Sequence, residues 1–154
     1  KEGVASAEQN DGSREFDDSD KWTAIVDAYE PEITAIDGAF DKSESAKIDE
    51  TIIIKGVKYQ LGTYKGQRVI IFTTGISVVN AAMTIQMALD YFPIDTVVMM
   101  GIAGAVNPIF EPGDIAIPER WYYHDESVYV NPDPQHEGAY VLPCYYESAS
   151  NRHK

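Results

Sequence analysis

The chemistry-bearing part of this chain begins at Gly101-Ile102-Ala103-Gly104. These four residues close an apolar run, Thr96 to Met100. After a short loop, Pro112-Gly113-Asp114 opens a second apolar run, Ile115 to Ile117. An apolar run that halts at glycines reads as a buried strand delivering its C-terminal end to a site, and in open α/β sheets small ligands bind at that end. Glycines there let the backbone approach a ligand and expose its N–H groups. The same spacing also fits a tight turn between two core strands.

Other residues with chemical capacity are fewer. Glu30 and Glu32 flank Pro31 near the start. A proline just inside a helix start, with acids in the first turn, marks a helix N-terminus, where a carboxylate complements the helix dipole. His124-Asp125 has the composition of an acid–base pair. His136 and His153 lie in loop sequence with no partner pattern, and no His-x₃-His or paired-cysteine spacing points to a metal. The single cysteine, Cys144, excludes an intramolecular disulfide framework and reads as a small apolar side chain.

The elements that must position these residues alternate between β and α. Trp22 to Val26 reads as a first strand, followed by a helix from Glu30 to about Phe40. Residues 51–73 read as a strand meander with turns at Lys55-Gly56 and Lys65-Gly66. Ser77 caps a second helix, in which Val78, Ala81, Ala82, Ile85, Ala88 and Leu89 recur at helical spacing. Pro93 ends it, and a strand over 95–100 follows. This order implies an α/β fold, a mixed central sheet flanked by helices. Residues 1–20 are polar and acidic and read as a flexible tail, and residues 131–154 read as loop-rich.

Composition narrows the partners. The net charge of −13 argues against nucleic acid, whose phosphates need a basic face. No apolar run approaches the roughly 20 residues of a membrane span. The chain opens on Lys1 without an initiator methionine or a signal peptide, so its start is expected to be processed, clipped or an artificial boundary. The compartment is left open, with export after signal removal slightly favoured over a cytoplasmic location.

The segment GIAGAVNPIFEPGDIAIP resembles the Gly-x-Ala-Gly…Gly-Asp-Ile segment of the nucleoside phosphorylase/nucleosidase superfamily, most nearly the methylthioadenosine/S-adenosylhomocysteine nucleosidases. The similarity runs on into Tyr123-His124-Asp125 and back to Thr74-Gly75-Ile76 and Glu30-Pro31-Glu32, covering roughly residues 22–130. Several blocks in the right order are far more specific than a lone glycine motif. The resemblance implies that Glu32 is the water-activating glutamate. It places Tyr29 under the sugar, Ile76 after Thr74-Gly75 beside the substrate, Ala103 and Gly104 along purine and ribose, and Val128 in the pocket wall. It makes His124-Asp125 structural. It implies a small-molecule nucleoside as ligand, no cofactor, and a homo-oligomer, with a dimer favoured.

Two departures from the family pattern matter. The nucleosidases carry a small hydroxyl residue where this chain has Ile102; the Gly-Ile-Ala-Gly form resembles plant bark storage proteins of the superfamily and weakens the expectation of efficient catalysis. The phosphorylases carry an arginine-containing phosphate loop after the first strand. Here that loop is Asp27-Ala28-Tyr29-Glu30-Pro31-Glu32, whose three carboxylates repel phosphate. The resemblance also implies a Met-Glu segment that grips ribose and a Ser-Asp segment that protonates the purine, and neither follows the matched blocks. Residues 21–154 are therefore expected to be the N-terminal portion of one domain, from a nicked or truncated protein rather than a degenerate one. A second chain carrying the C-terminal half is one form this could take. The expected activity of the full-length protein is hydrolysis of the N-glycosidic bond of a purine nucleoside or 5′-thio-nucleoside. The alternatives are a non-catalytic storage or nucleoside-binding member, and a phosphorylase.

Overall fold

A computed structural model describes residues 8–9, 21–123 and 130–141. Its strands are β1 (Glu8–Gln9), β2 (Trp22–Asp27), β3 (Ala46–Ile54), β4 (Val57–Tyr64), β5 (Gln67–Thr73), β6 (Ile94–Met99), β7 (Asn131–Pro132) and β8 (Tyr140–Val141). Its helices are α1 (Glu30–Asp41) and α2 (Val78–Tyr91). The described residues fall into two units, one ending at Pro112 and the other beginning at Gly113.

The first unit is a six-stranded mixed sheet in the order β1-β3-β4-β5-β2-β6. The meander β3-β4-β5 is antiparallel. Its two turns use Lys55-Gly56 (φ 48° and 85°) and Lys65-Gly66 (φ 49° and 80°). Two successive positive φ values match the right-handed twist of the flanking strands, which is why Lys-Gly joins both hairpins tightly. Strand β2 then pairs in parallel with β5 on one side and with β6 on the other. Parallel neighbours need crossovers. Helix α1 supplies the first, from β2 into the meander, and α2 the second, from β5 to β6.

Strand alternation divides the core. Trp22, Ala24, Val26, Ile70 and Phe72 share one face with Tyr59, and Ala88 and Phe92 at the end of α2 pack into that cluster. The Tyr59 ring lies 5.0 Å from both Phe72 and Phe92. Burial pushes the Tyr59 phenol up to about 12. Val69 and Ile71, also buried, point to the opposite face, which α1 covers with Ile36.

Three expectations are corrected. The meander begins earlier than residue 51, at Ala46. On α2 the apolar stripe is not uniformly core: Ala88 is buried, but Val78 and Leu89 are exposed, because the helix meets the sheet mainly at its C-terminal end. The run Thr96–Met100 does form a strand end, yet Val97, Val98, Met99 and Met100 are 41–51% exposed. Among the described residues β6 has a neighbour on one edge only, so nothing seals its far side.

The acidic segment contributes Glu8–Gln9, which pair in parallel with Ile52–Ile53; the rest of residues 1–20 lies outside the described residues. In the second unit β7 and β8 pair antiparallel around a turn at Gly138. Ile115 and Ile117, expected as a second apolar strand, have no regular structure and are 89% and 91% exposed. No helix of the described residues is long and apolar enough to cross a membrane.

One glycine is fixed by close approach. Gly62 in β4 is buried opposite the irregularity between Ile48 and Glu50 in β3, and a Cβ there would run into the Lys47 backbone carbonyl. A backbone oxygen cannot swing aside as a side chain can. Gly62→Ala is expected to cost about 1–3 kcal/mol, read as a lower urea midpoint at unchanged slope. An unchanged midpoint would mean that β3 yields there.

Candidate active site

Parallel pairing around β2 brings three strand ends to one edge of the sheet. Asp27 ends β2, Thr73 ends β5 and Met99 ends β6, with Asp27 level with Thr73 and Val26 level with Met99. Two further hydrogen bonds carry the register past the strands. The Thr74 N–H donates to the Asp27 carbonyl at 2.8 Å, and the Met100 N–H to the Val26 carbonyl at 2.8 Å. Crossovers leave β2 toward the meander and arrive at β6 on its other side, so this edge is a topological switch point, where open α/β sheets place ligands.

The residue that joins the strand ends is Glu32. It lies in the first turn of α1, two residues after Glu30, with Pro31 pre-setting the helical φ. One carboxylate oxygen, Oε2, accepts the Ala28 N–H at 3.1 Å across the turn that leaves β2. The other, Oε1, accepts the Ile102 N–H at 2.9 Å, from the loop that leaves β6 seventy residues later. The approach is close: a Cβ on Gly101 would stand 2.9 Å from Oε1 and would push the Glu32 side chain aside. Each oxygen uses one acceptor position on a backbone N–H and keeps another for a ligand or water.

The remaining sequence candidates spread around this edge. Tyr29 is half-buried, and its carbonyl accepts the Glu32 N–H at 2.9 Å, opening α1. Thr74 is buried and commits its hydroxyl to the Asp27 carbonyl at 2.9 Å, while its own carbonyl accepts the Thr84 hydroxyl at 3.0 Å. It therefore ties β2, β5 and α2 together. Gly75 has φ 85°, and Ser77, at the start of α2, has φ 96°. A non-glycine residue there costs on the order of 1–3 kcal/mol, and such strain gathers at functional loops. Ile76 is 38% exposed, and its carbonyl accepts the Asn80 amide at 2.6 Å. Ile102 contributes its backbone N–H to Glu32 while its side chain is 82% exposed. Ala103 and Gly104 follow on the same exposed loop, and a Cβ on Gly104 would meet nothing within 4 Å. Val128 and the His124-Asp125 pair lie outside the described residues. His136 pairs with Asp133 at 2.9 Å in an exposed turn of the second unit. Among the described residues no group of three or more histidine, cysteine or carboxylate side chains is placed to hold a metal ion.

The sequence alone does not single out Asp27. In the sequence it is one charge of an acidic loop, yet the structure buries it completely. Its Oδ1 accepts the Tyr29 N–H at 3.1 Å, and its Oδ2 has no hydrogen-bond partner. Burial pushes its carboxyl above the ordinary value of 3.8; the Thr73 side chain and the Tyr29 N–H offset part of that, and the Glu32 and Asp37 carboxylates add to it. The available signal was an aspartate ending an apolar strand two residues before a helix cap.

The chain belongs to the phosphorylase superfamily, whose profile matches residues 23–152. It is 30% identical over 107 residues to the 5′-methylthioadenosine/S-adenosylhomocysteine nucleosidase of Lysinibacillus sphaericus, covering 70% of this chain and 44% of that protein. It is 33% identical over 105 residues to the nucleosidase of the same name from Geobacillus kaustophilus, covering 68% of this chain and 42% of that one. Among solved structures, the Colwellia psychrerythraea nucleosidase of this name, in complex with adenine, superposes with a TM-score of 0.51 at 27% identity, over 60% of this chain and 36% of that one. The futalosine hydrolase of Helicobacter pylori shares the fold, with a TM-score of 0.52 at 23% identity over 60% of this chain and 38% of that one. The chain thus spans less than half the length of the relatives it matches.

The raised Asp27 pKa has a stability consequence with a definite sign. The folded state holds this proton more tightly than the unfolded chain, whose carboxyl titrates near 3.8. Below that value both states are protonated and the burial is fully tolerated. As pH rises past it the unfolded chain ionises first, and stability falls until the folded group ionises too. Asp27→Asn removes this loss, so its urea midpoint should gain on the wild type as pH is raised from 3.5 to 7. A constant difference would show that Asp27 does not titrate abnormally.

Proposed function

We propose that the full-length protein hydrolyses the N-glycosidic bond of a purine nucleoside or a 5′-thio derivative such as methylthioadenosine. The observation that carries this reading is the placement of Glu32, whose two carboxylate oxygens rest on backbone N–H groups from the ends of β2 and β6. The names of the relatives agree with it.

Cleavage of a purine–ribose bond passes through an oxocarbenium-like state, which needs a positioned carboxylate, a nucleophile and an acid for the leaving base. Glu32 is fixed by its two N–H donors, so its orientation is set before substrate arrives. Its remaining acceptor positions orient a water and take up its proton as the water adds to the anomeric carbon. The adjacent negative charge also favours the developing positive charge on the sugar. The proton for the departing base is supplied by the part of the full-length protein outside this chain. Tyr29, Ile76 and the 102–104 loop provide the walls for sugar and base. The reading includes a homo-oligomer, with a dimer favoured.

Water is the nucleophile in this proposal because the loop that would have to receive phosphate is acidic. Asp27, Glu30 and Glu32 stand within six residues, with no lysine or arginine among them. The test is release of free base from adenosine and methylthioadenosine by full-length protein, first in phosphate-free buffer and then with phosphate added. The expected result is equal release in both, with free sugar as the second product. Strict dependence on phosphate, with a sugar 1-phosphate formed, or no release from any nucleoside, would overturn the reading.

A further inference from the structure

The completely buried Asp27 takes no part in the chemistry just described, yet it stands where that chemistry is assembled. Its backbone carbonyl accepts twice at this edge, from the Thr74 N–H at 2.8 Å and the Thr74 hydroxyl at 2.9 Å. Its side chain reaches forward and accepts the Tyr29 N–H at 3.1 Å. The amide just before Tyr29, that of Ala28, donates to Glu32 Oε2 at 3.1 Å. Consecutive amides of one turn are therefore held by two carboxylates, Tyr29 by Asp27 and Ala28 by Glu32. We propose that Asp27 is a positioning residue for Glu32: by fixing the 28–29 turn from beneath, it aims the Ala28 N–H at Oε2 and so holds Oε1 on the Ile102 N–H.

Two observations separate this role from ordinary turn formation. The first is energetic. A buried carboxyl with one oxygen unpartnered is costly, and an apolar side chain of similar size would avoid that cost. The second is geometric. Glu32 links loops seventy residues apart, and the near end of that link is the turn that Asp27 shapes. The groups facing Asp27 are the Glu32 and Asp37 carboxylates from α1 and the Thr73 side chain from β5. None of these is cationic, so among the described residues no ion pair with them accounts for a carboxyl at this position. Burial raises the Asp27 carboxyl above its ordinary value, and the geometry at this edge is that of an acceptor set beneath the turn. What Asp27 supplies is thus an acceptor oxygen in a fixed place, and asparagine can supply the same.

The proposal builds on the assignment of Glu32 as the water-activating group, and one readout is independent of it. In full-length protein, the Ile102 amide proton resonance reports whether Glu32 is in place, with Glu32→Ala giving its unbound position. Asp27→Val fills the site without an acceptor. It is expected to move the Ile102 resonance most of the way to that position, while Asp27→Asn leaves it at the wild-type position. In turnover, Asp27→Val is expected to lower kcat about tenfold or more with KM changed far less, since small misplacements of a reacting group have effects of this size. Asp27→Asn should restore kcat to within about threefold of wild type. A folded Asp27→Val variant that keeps the wild-type Ile102 resonance would overturn the proposal. If Asp27→Val does not fold, Asp27→Ala takes its place. If neither folds, Asp27→Asn decides: the wild-type resonance supports the role, and movement toward the Glu32→Ala position overturns it. A wild-type protein that releases no base would refute the nucleosidase reading, while the Ile102 resonance would still decide the role of Asp27.

Discussion

Strand β2 pairs in parallel on both of its edges, and the site depends on that constraint. A parallel neighbour on each side forces β5 and β6 to end where β2 ends, so the loops at 28–29, 74–77 and 100–104 leave the sheet together. The Val26 and Asp27 carbonyls then receive Met100 and Thr74 from either side, extending the register beyond the strands. Glu32 can bridge Ala28 and Ile102 because those two amides were already brought to one edge. A slip of one residue in either pairing would turn each strand's faces over and part the amides that the carboxylate joins.

The site combines rigidity and exposure in unequal parts. Its floor is dry: Ala24, Val26, Ile70, Ile71 and Asp27 are all fully buried. Its rim is open: Ile102, Ala103 and Gly104 are exposed, and a hydrogen bond to Glu32 joins Ile102 to the helix opposite. A carboxylate mounted on a helix and braced by backbone amides is held better than one on a loop, which suits a group that must orient water. The exposed apolar residues of β6 belong to the same picture. They are the side of the sheet with no neighbour among the described residues, in a chain that spans 44% of its Lysinibacillus relative.

Much of this was legible in the sequence, for identifiable reasons. The Lys-Gly turns declare themselves because the sequence places glycine where φ is positive, and the strand ends declare themselves because apolar runs stop at Asp27, Thr74 and Gly101. Pro31 with its flanking acids marked the start of α1, and the family register singled out Glu32. Other features were not legible. The α2 stripe has helical period on both its buried and its exposed residues, so Val78 and Leu89 looked like core. The Ile102 side chain cannot hydrogen-bond, and its contribution to Glu32 is a backbone N–H that any residue but proline would provide. Asp27 is hidden because burial of a carboxylate is a tertiary property: the strands paired around β2 and the start of α1 together remove it from water.

The central claim is that the Glu32 carboxylate, held between Ala28 and Ile102, activates the attacking water. Replacing it with glutamine keeps the shape and an acceptor oxygen but removes the base. The decisive measurement is kcat for base release by full-length Glu32→Gln protein, beside the dissociation constant for the same nucleoside. The account predicts a fall in kcat of roughly 10²–10⁴-fold, the range for general base catalysis, with binding altered only a few-fold. A folded variant that turns over within tenfold of wild type would contradict it.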